Sequence, residues 1–312
     1  MDKPRIIFMG TPEFSVPSLE ILWKNGYPLV AVATQPDRPQ GRGRTEEPSP
    51  VKRFAAARNM PVLQPERVKD REFIERFRDI NPDMVVLVSF GQILPREIIE
   101  GPRLGCLNVH PSLLPEYRGA APMQWAIIRG ETTTGVTIMM MDEGVDSGDI
   151  LLQEEIPIGA DESFGNLHDR LADRGAALLL RAIELLTEGR AKSIAQEHSL
   201  ATYAPRLKKE DGLINWHSPV ETIVNLIRGL SPTPCAYAFL DKKMLKVFSA
   251  VGEEAPTGDV AGKVCPLADW GLPVAAANGY VYLREVQLQG RKRMSIQEFL
   301  RGYRFAPETV LS

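Results

Sequence analysis

The sequence predicts an α/β protein: a Rossmann-like domain on a parallel sheet, followed by a small antiparallel β-barrel of the oligonucleotide-binding sort. Three observations carry that prediction. Apolar, β-branched runs alternate with amphipathic helical stretches through the first part of the chain, the pattern of βαβ units. One run, Met84-Val85-Val86-Leu87-Val88-Ser89, is apolar almost throughout, as in a strand buried on both faces. From about Cys235 onward the pattern changes to short runs separated by turn residues, which suits a small barrel.

In chain order, Arg5 to Gly10 is an apolar run closed by glycine, and Val16, Leu19, Leu22 and Trp23 then recur at helical spacing. Gly26 ends that helix, and Leu29 to Thr34 is the second strand. A lone Gly10 is not a GxGxxG fingerprint, and no acidic residue closes the second strand, so no dinucleotide site is expected. Gln35 to Pro50, rich in Pro, Gly and Arg, is too long for a mere connection and reads as a mobile loop. A helix over Val51–Asn59, a strand over Pro61–Gln64 and a helix over Lys69–Ile80 lead to the Met84 run. Beyond it come a helix over Ala121–Arg129, strands over Gly135–Met141 and Leu151–Ile156, and a long helix from Phe164 to Leu186 that Gly189 stops. Residues 1–189 are therefore read as one domain, 190–208 as a less regular linker and 209–312 as the second domain. The latter opens with a helix over Pro219–Arg228, capped by Ser218. Five short strands follow: Cys235–Leu240, Met244–Ala250, Gly262–Cys265, Pro273–Ala277 and Tyr280–Leu288.

A chain of 312 residues, 44% hydrophobic and 25% charged, is long enough to bury two cores. Three widely spaced cysteines argue against a disulfide framework or a zinc site and favour a reducing cytoplasm; no bound metal is expected. No apolar run is long enough to span a membrane, and the amino terminus has no export signal, so no membrane partner is expected. Acidic residues outnumber basic ones 29 to 23 up to Pro205, and basic residues outnumber acidic ones 14 to 11 from Arg206 onward. The basic part includes Lys242, Lys243, Lys246, Arg291, Lys292 and Arg293, placed at hairpin ends. A polyanionic partner for that part is plausible, though the excess is small for a dedicated nucleic-acid binder.

The chemistry concentrates in Asn108-Val109-His110-Pro111-Ser112-Leu113-Leu114-Pro115-Glu116-Tyr117-Arg118-Gly119 and in the acidic loop Asp142 to Asp149. Asn108 and His110 are two positions apart at a strand end, so an amide and an imidazole share one face. The loop beyond stands at the strand's carboxyl end, where open α/β sheets bind ligands. A lone His there is usually structural, and an Asn before a turn is often a cap. The common face, the double-proline loop and an Asp in a glycine-rich loop raise the set above either alone. An aspartate of that loop can orient His110, with Asp142, Asp146 and Asp149 all open to that role, while Cys106, on the same strand among apolar neighbours, reads as core. His168, His198 and His217 read as structural or exposed. Phe90-Gly91-Gln92-Ile93-Leu94-Pro95 follows the neighbouring strand and walls the same crevice, with Phe90, Ile93, Leu94 and Leu107 read either as walls for a flat ligand or as core.

Phe8-Met9-Gly10-Thr11-Pro12-Glu13-Phe14, Asn108-x-His110, Ser112-Leu113-Leu114-Pro115-x-Tyr117-Arg118-Gly119-x-x-Pro122 and Met141-Asp142-x-Gly144-x-Asp146-Ser147-Gly148-Asp149 together resemble the formyltransferases that use 10-formyltetrahydrofolate. The resemblance runs nearly end to end and is strongest to the branch acting on methionyl-initiator tRNA, through Gly41-Arg42-Gly43-Arg44, Ala204-Pro205 and Asp211-Gly212-x-Ile214-x-Trp216. It implies catalysis by Asn108, His110 and Asp146 without a covalent nucleophile. It also implies a folate-contacting loop of Ser112, Leu113, Leu114 and Pro115, with Phe14 at the methionyl group, Arg42 at the acceptor stem and a second domain that contacts tRNA. The chain is expected to act as a monomer. The same motifs occur in sugar-amine formyltransferases, so transfer to a sugar amine, hydrolysis of the folate, or RNA binding without catalysis stand as alternatives.

Overall fold

The computed structural model describes residues 3–40 and 45–312. In chain order the main elements are β1 (Ile6–Gly10), α1 (Val16–Lys24), β2 (Leu29–Ala33), α2 (Pro50–Ala56), β3 (Val62–Leu63), α3 (Arg71–Ile80), β4 (Met84–Val88), α4 (Arg96–Glu100) and β5 (Cys106–His110). There follow α5 (Pro122–Ile128), β6 (Thr133–Met140), β7 (Ile150–Pro157), α6 (Phe164–Thr187), α7 (Val220–Leu230), β8 (Ala236–Leu240), β9 (Lys243–Glu254), β10 (Leu272–Ala276), β11 (Gly279–Leu288), β12 (Met294–Ser295) and α8 (Ile296–Gly302).

The chain forms two compact units that are discontinuous in sequence. The first holds 1–119, 134–156 and 168–203; the second holds 120–133, 157–167 and 204–312. In the first, one sheet runs in the order β7-β6-β5-β4-β1-β2-β3. β1 pairs in parallel with β2 and β4, β3 with β2, and β5 with β4. Strands β1, β4 and β5 are buried at every residue, because helices cover both faces of a parallel sheet. Phe73, Ile74 and Phe77 of α3 and Ile98 and Ile99 of α4 pack with Ile7, Val85, Leu87 and Cys106 on one face. On the other, Gly175 of α6 comes so close to Val109 and Val136 that a Cβ there would stand 2.9 Å from the Val109 side chain.

In the first unit, two features depart from the sequence reading. The excursion from Gln35 to Pro50 contains an antiparallel hairpin of Arg38–Gln40 with Thr45–Glu47, so it is not wholly irregular. Its base is tied by a hydrogen bond between the buried hydroxyls of Thr34 and Ser49 and by an ion pair of Lys52 with Asp37. Arg42, with Gly41, Gly43 and Arg44, lies outside the described residues. Second, β6 runs antiparallel to β5, pairing Leu107 with Met140 and His110 with Thr137. It therefore ends beside the start of β5 and does not itself deliver the acidic loop to the rim where His110 stands.

The second unit has an antiparallel sheet ordered β8-β9-β11-β10, with β12 on β11. Gly262–Cys265, expected as a strand, makes isolated bridges only, at Lys263–Val310 and Val264–Val274; the fifth strand is Met294–Ser295. The core joins Ile223, Ile227 and Leu230 of α7 to Leu245, Val247, Val274, Val281, Leu283 and Val286 of the sheet. Helix α7 begins at Val220 with Pro219 as its cap, not Ser218, because the Val220 N–H finds its acceptor in the Asn278 side chain, 2.8 Å away. Lys242 and Lys243 do mark the β8–β9 turn, but Lys246 lies inside β9, opposite Tyr237 and Gln287. Arg293 pairs with Glu285 and covers the Phe248 ring.

Candidate active site

Strand alternation puts Cys106, Asn108 and His110 on one face of β5, and the first of these settles into the core. Burial pushes its thiol well above the ordinary range, which leaves it a protonated, inert packing residue. Asn108 (6% exposed) and His110 (4%) come next, at the point where the strand gives way to the double-proline loop. His110 Nε2 lies 3.0 Å from the carbonyl of Tyr117, which accepts its proton and so leaves Nδ1 on the open side.

Nδ1 faces Asp146. Its distance to Oδ2 is 3.6 Å, too long for a hydrogen bond but short enough for a charge pair when the imidazole is protonated. The same oxygen accepts the backbone N–H of Gly119 at 2.8 Å, while Oδ1 lies 3.4 Å from Asn108 Nδ2. Asp146 has φ +50°, in the left-handed region that Asp tolerates better than most residues. Because β6 ends at the far end of β5, the loop after it must turn back along the strand for this contact. Gly148 permits the turn: a Cβ there would stand 1.9 Å from the Met140 carbonyl oxygen. Asp142 spends its carboxylate inside the loop, on the Gly144 N–H and the Ser147 hydroxyl, and Asp149 is exposed. Of the loop's three aspartates, Asp146 is the one that reaches β5.

The Pro111–Arg118 loop is held by hydrogen bonds. Buried Thr137 donates to the Ser112 carbonyl at 2.7 Å and accepts from the Leu114 N–H and from Gln153. The Ser112 hydroxyl donates to the Glu116 carbonyl, and Leu114–Pro115 is a cis peptide. Leu113 lies over Gly135, where a Cβ would be 2.4 Å from its Cδ2.

The expected ligand walls divide. Phe90 and Leu94 belong to the core beneath α3 and α4, and Leu107 is fully buried, since side chains at a strand end fill the core before they face a crevice. Ile93 alone among the four presents surface, at 87% exposure. Val145, which the sequence reading passed over, is also exposed, and the two loops are linked by an ion pair of Arg96 with Glu143 at 3.6 Å. Phe14 is buried, with its ring edge-on to His168 at 5.4 Å. Three further groups at the site escaped the sequence reading: the Tyr117 carbonyl, the Gly119 N–H and the buried amide of Gln196. Backbone groups carry no residue signature, and Gln196 sits in the 190–208 stretch that shows no periodicity. Among the described residues no cluster of three or more His, Cys, Asp or Glu is arranged to hold a metal ion, and no helix is long and apolar enough to cross a membrane.

Comparison with known proteins gives the class. A family profile described as formyl transferase matches residues 4–183, and a second, described as the formyl transferase C-terminal domain, matches residues 206–304. That class consists of enzymes, and its members use formyl-tetrahydrofolate. A methionyl-tRNA formyltransferase of Syntrophus aciditrophicus is 58% identical over 311 residues, covering 100% of both chains, and one of Geotalea uraniireducens is 49% identical, covering 98% of this chain and 97% of its own. The chain belongs to the methionyl-tRNA formyltransferase family. The fold recurs at low identity in HypX from Aquifex aeolicus, solved in complex with tetrahydrofolic acid: TM-score 0.65, 19% identity, 98% of this chain and 49% of that one.

Proposed function

We propose that this chain transfers the formyl group of 10-formyltetrahydrofolate to the α-amine of methionyl-initiator tRNA, with Asn108, His110 and Asp146 around the reacting carbon. The observation that carries the reading is the Asp146 carboxylate, set by the Gly119 N–H between the Asn108 amide and His110 Nδ1. Amine attack on a formyl carbon builds negative charge on oxygen. A fixed donor at that oxygen lowers the barrier by about 3 to 4 kcal/mol, and Asn108 Nδ2–H is such a donor. Protonated His110 offers a second from Nδ1, its ring orientation held by the Tyr117 carbonyl. Asp146 takes the proton shed by the attacking amine, directly or through a water, and the Asp146–His110 pair returns one to the departing nitrogen.

The folate would lie along Ser112, Leu113, Leu114 and Pro115, with the exposed side chains of Ile93 and Val145 available to its flat ring. Residues 1–189 would carry the chemistry, and the region 209–312, with Arg42 in the first part, would meet the tRNA, while Phe14, buried against His168, could back the methionyl group only from within the core. The reading takes the chain as a monomer at work in cytoplasmic translation initiation, with no metal assigned a role. Incubation with 10-formyltetrahydrofolate and charged initiator tRNA, beside sugar amines as control acceptors, tests this. Formyl on the methionyl amine is the expected product. Formyl transferred only to sugar or water, or tRNA bound without transfer, replaces the reading.

A further inference from the structure

We infer that Gln196 is a positioning residue for the formyl-transfer site, one that holds Asp146 in register with Asn108 and His110; the inference rests on the role just proposed for Asp146. Gln196 is 6% exposed, and its amide uses its whole hydrogen-bonding capacity. Nε2 donates to the carbonyl of Asp146 at 2.9 Å and to that of Gly148 at 2.7 Å. Oε1 accepts from Arg118 Nε at 3.2 Å and Nη2 at 2.6 Å. Two carbonyls at one end and a guanidinium at the other admit only one orientation of the amide.

The consequence is a grip on Asp146 from both sides. Its carbonyl is held by Gln196 directly. Its carboxylate is held by the N–H of Gly119, the residue that follows Arg118, and Arg118 is anchored on the same glutamine. Asp146 needs such support, because its left-handed backbone is a conformation that persists only where the surroundings impose it. Arg118 is itself buried, with Gln196 and His198 Nδ1 as neighbours and no ion pair to an acidic side chain among the described residues. No other side chain can replace the glutamine: glutamate lacks the two donors, lysine lacks the acceptor, and asparagine is one methylene short.

The test uses the full chain with Gln196→Ala, Gln196→Glu and Asp146→Asn, measuring kcat, both KM values, the pH profile of kcat and the unfolding midpoint. Gln196→Glu keeps the acceptor for Arg118 but loses both donors to the loop and turns its second oxygen toward the Asp146 and Gly148 carbonyls. It is expected to lower the unfolding midpoint by the cost of two unpaired carbonyls, yet when assayed well below that midpoint, fully folded, to lose kcat by roughly 10- to 100-fold, as a misplacement of about 1 Å would, with both KM values within about twofold. The pH profile is read on Gln196→Ala, which adds no charge beside Asp146, as the readout that a merely structural role would not move. Gln196→Ala should show the same loss where it folds. Gln196→Glu with wild-type kcat and Gln196→Ala with the wild-type pH profile, beside an inactive Asp146→Asn, overturn the inference alone. Asp146→Asn with wild-type turnover overturns the proposed catalytic reading, and this inference with it.

Discussion

The loops that leave β4 and β5 start side by side on one sheet edge, yet the balance of forces that holds them differs. After β4, Phe90 and Leu94 pin the loop by filling the core beneath α3 and α4, and its polar ties run from Thr11 and Gln35 to the Phe90 carbonyl and from the Gln92 amide to the backbone of Pro65, Glu66 and Val68. After β5, the Pro111–Arg118 loop sends Leu114 and Tyr117 inward and lays Leu113 over Gly135, and a denser set of polar groups holds it as well: Thr137 grips Ser112 and Leu114, Thr202 accepts the Tyr117 N–H, and Gln196 holds Arg118. An apolar anchor tolerates small displacements, because dispersion and burial are non-directional. A hydrogen-bonded anchor fixes atoms to tenths of an ångström. The loop that follows the amide and the imidazole of β5, and sets the His110 ring through the Tyr117 carbonyl, is the one with more directional bonds.

The comparison breaks most readily at Phe90. If that ring is a core anchor, Phe90→Ala leaves a cavity and costs about 3 to 5 kcal/mol of stability, read from urea unfolding, while the folate KM of the folded fraction stays the same. A raised KM without the stability loss would make Phe90 a ligand wall after all. Asn108→Ala, on the other strand tip, should do the reverse. Stability changes little and kcat falls about 10²- to 10³-fold in single-turnover formyl transfer; retention of most of the rate removes Asn108 from the reaction.

Thr137→Val sharpens the contrast. The substitution keeps the shape but strips the hydroxyl from the Ser112 carbonyl, the Leu114 N–H and Gln153 at once, in a fully buried position. A loss of about 1 to 3 kcal/mol is expected for groups left unpaired, accompanied by a rise in folate KM as the Ser112–Pro115 loop slackens. An unchanged unfolding midpoint would mean that the loop is held by its apolar contacts.

What could be read in advance follows the same division. Asn108 and His110 were legible because spacing two along a strand fixes a common face, whereas the glycine-rich loop offered three aspartates and only the register of the formyltransferase motif singled out Asp146. Their partners were not legible, since the Tyr117 carbonyl and the Gly119 N–H belong to the backbone and Gln196 contacts Asp146 from 50 residues away. Six of the helices and most strands followed from periodicity, whereas α4, at five residues, is too short to show it and α8 was passed over. The direction of β6 did not, because alternation is the same read either way along a strand. Phe90, Leu94 and Ile93 looked alike in sequence, being apolar residues after a buried strand, and packing alone separates the first two from the third.

Ile93 offers the smallest effect on stability and the finest test. An apolar side chain left 87% in water contributes almost nothing to the fold, so Ile93→Ser should move the unfolding free energy by less than about 0.5 kcal/mol. If the folate ring lies against it, the same change removes apolar area that binding would bury, and the folate KM rises by about 5- to 10-fold, for a loss near 1 kcal/mol. A KM equal to that of the wild type would leave the β4 loop with no part in binding, and the β5 loop would then carry the folate contact together with the chemistry.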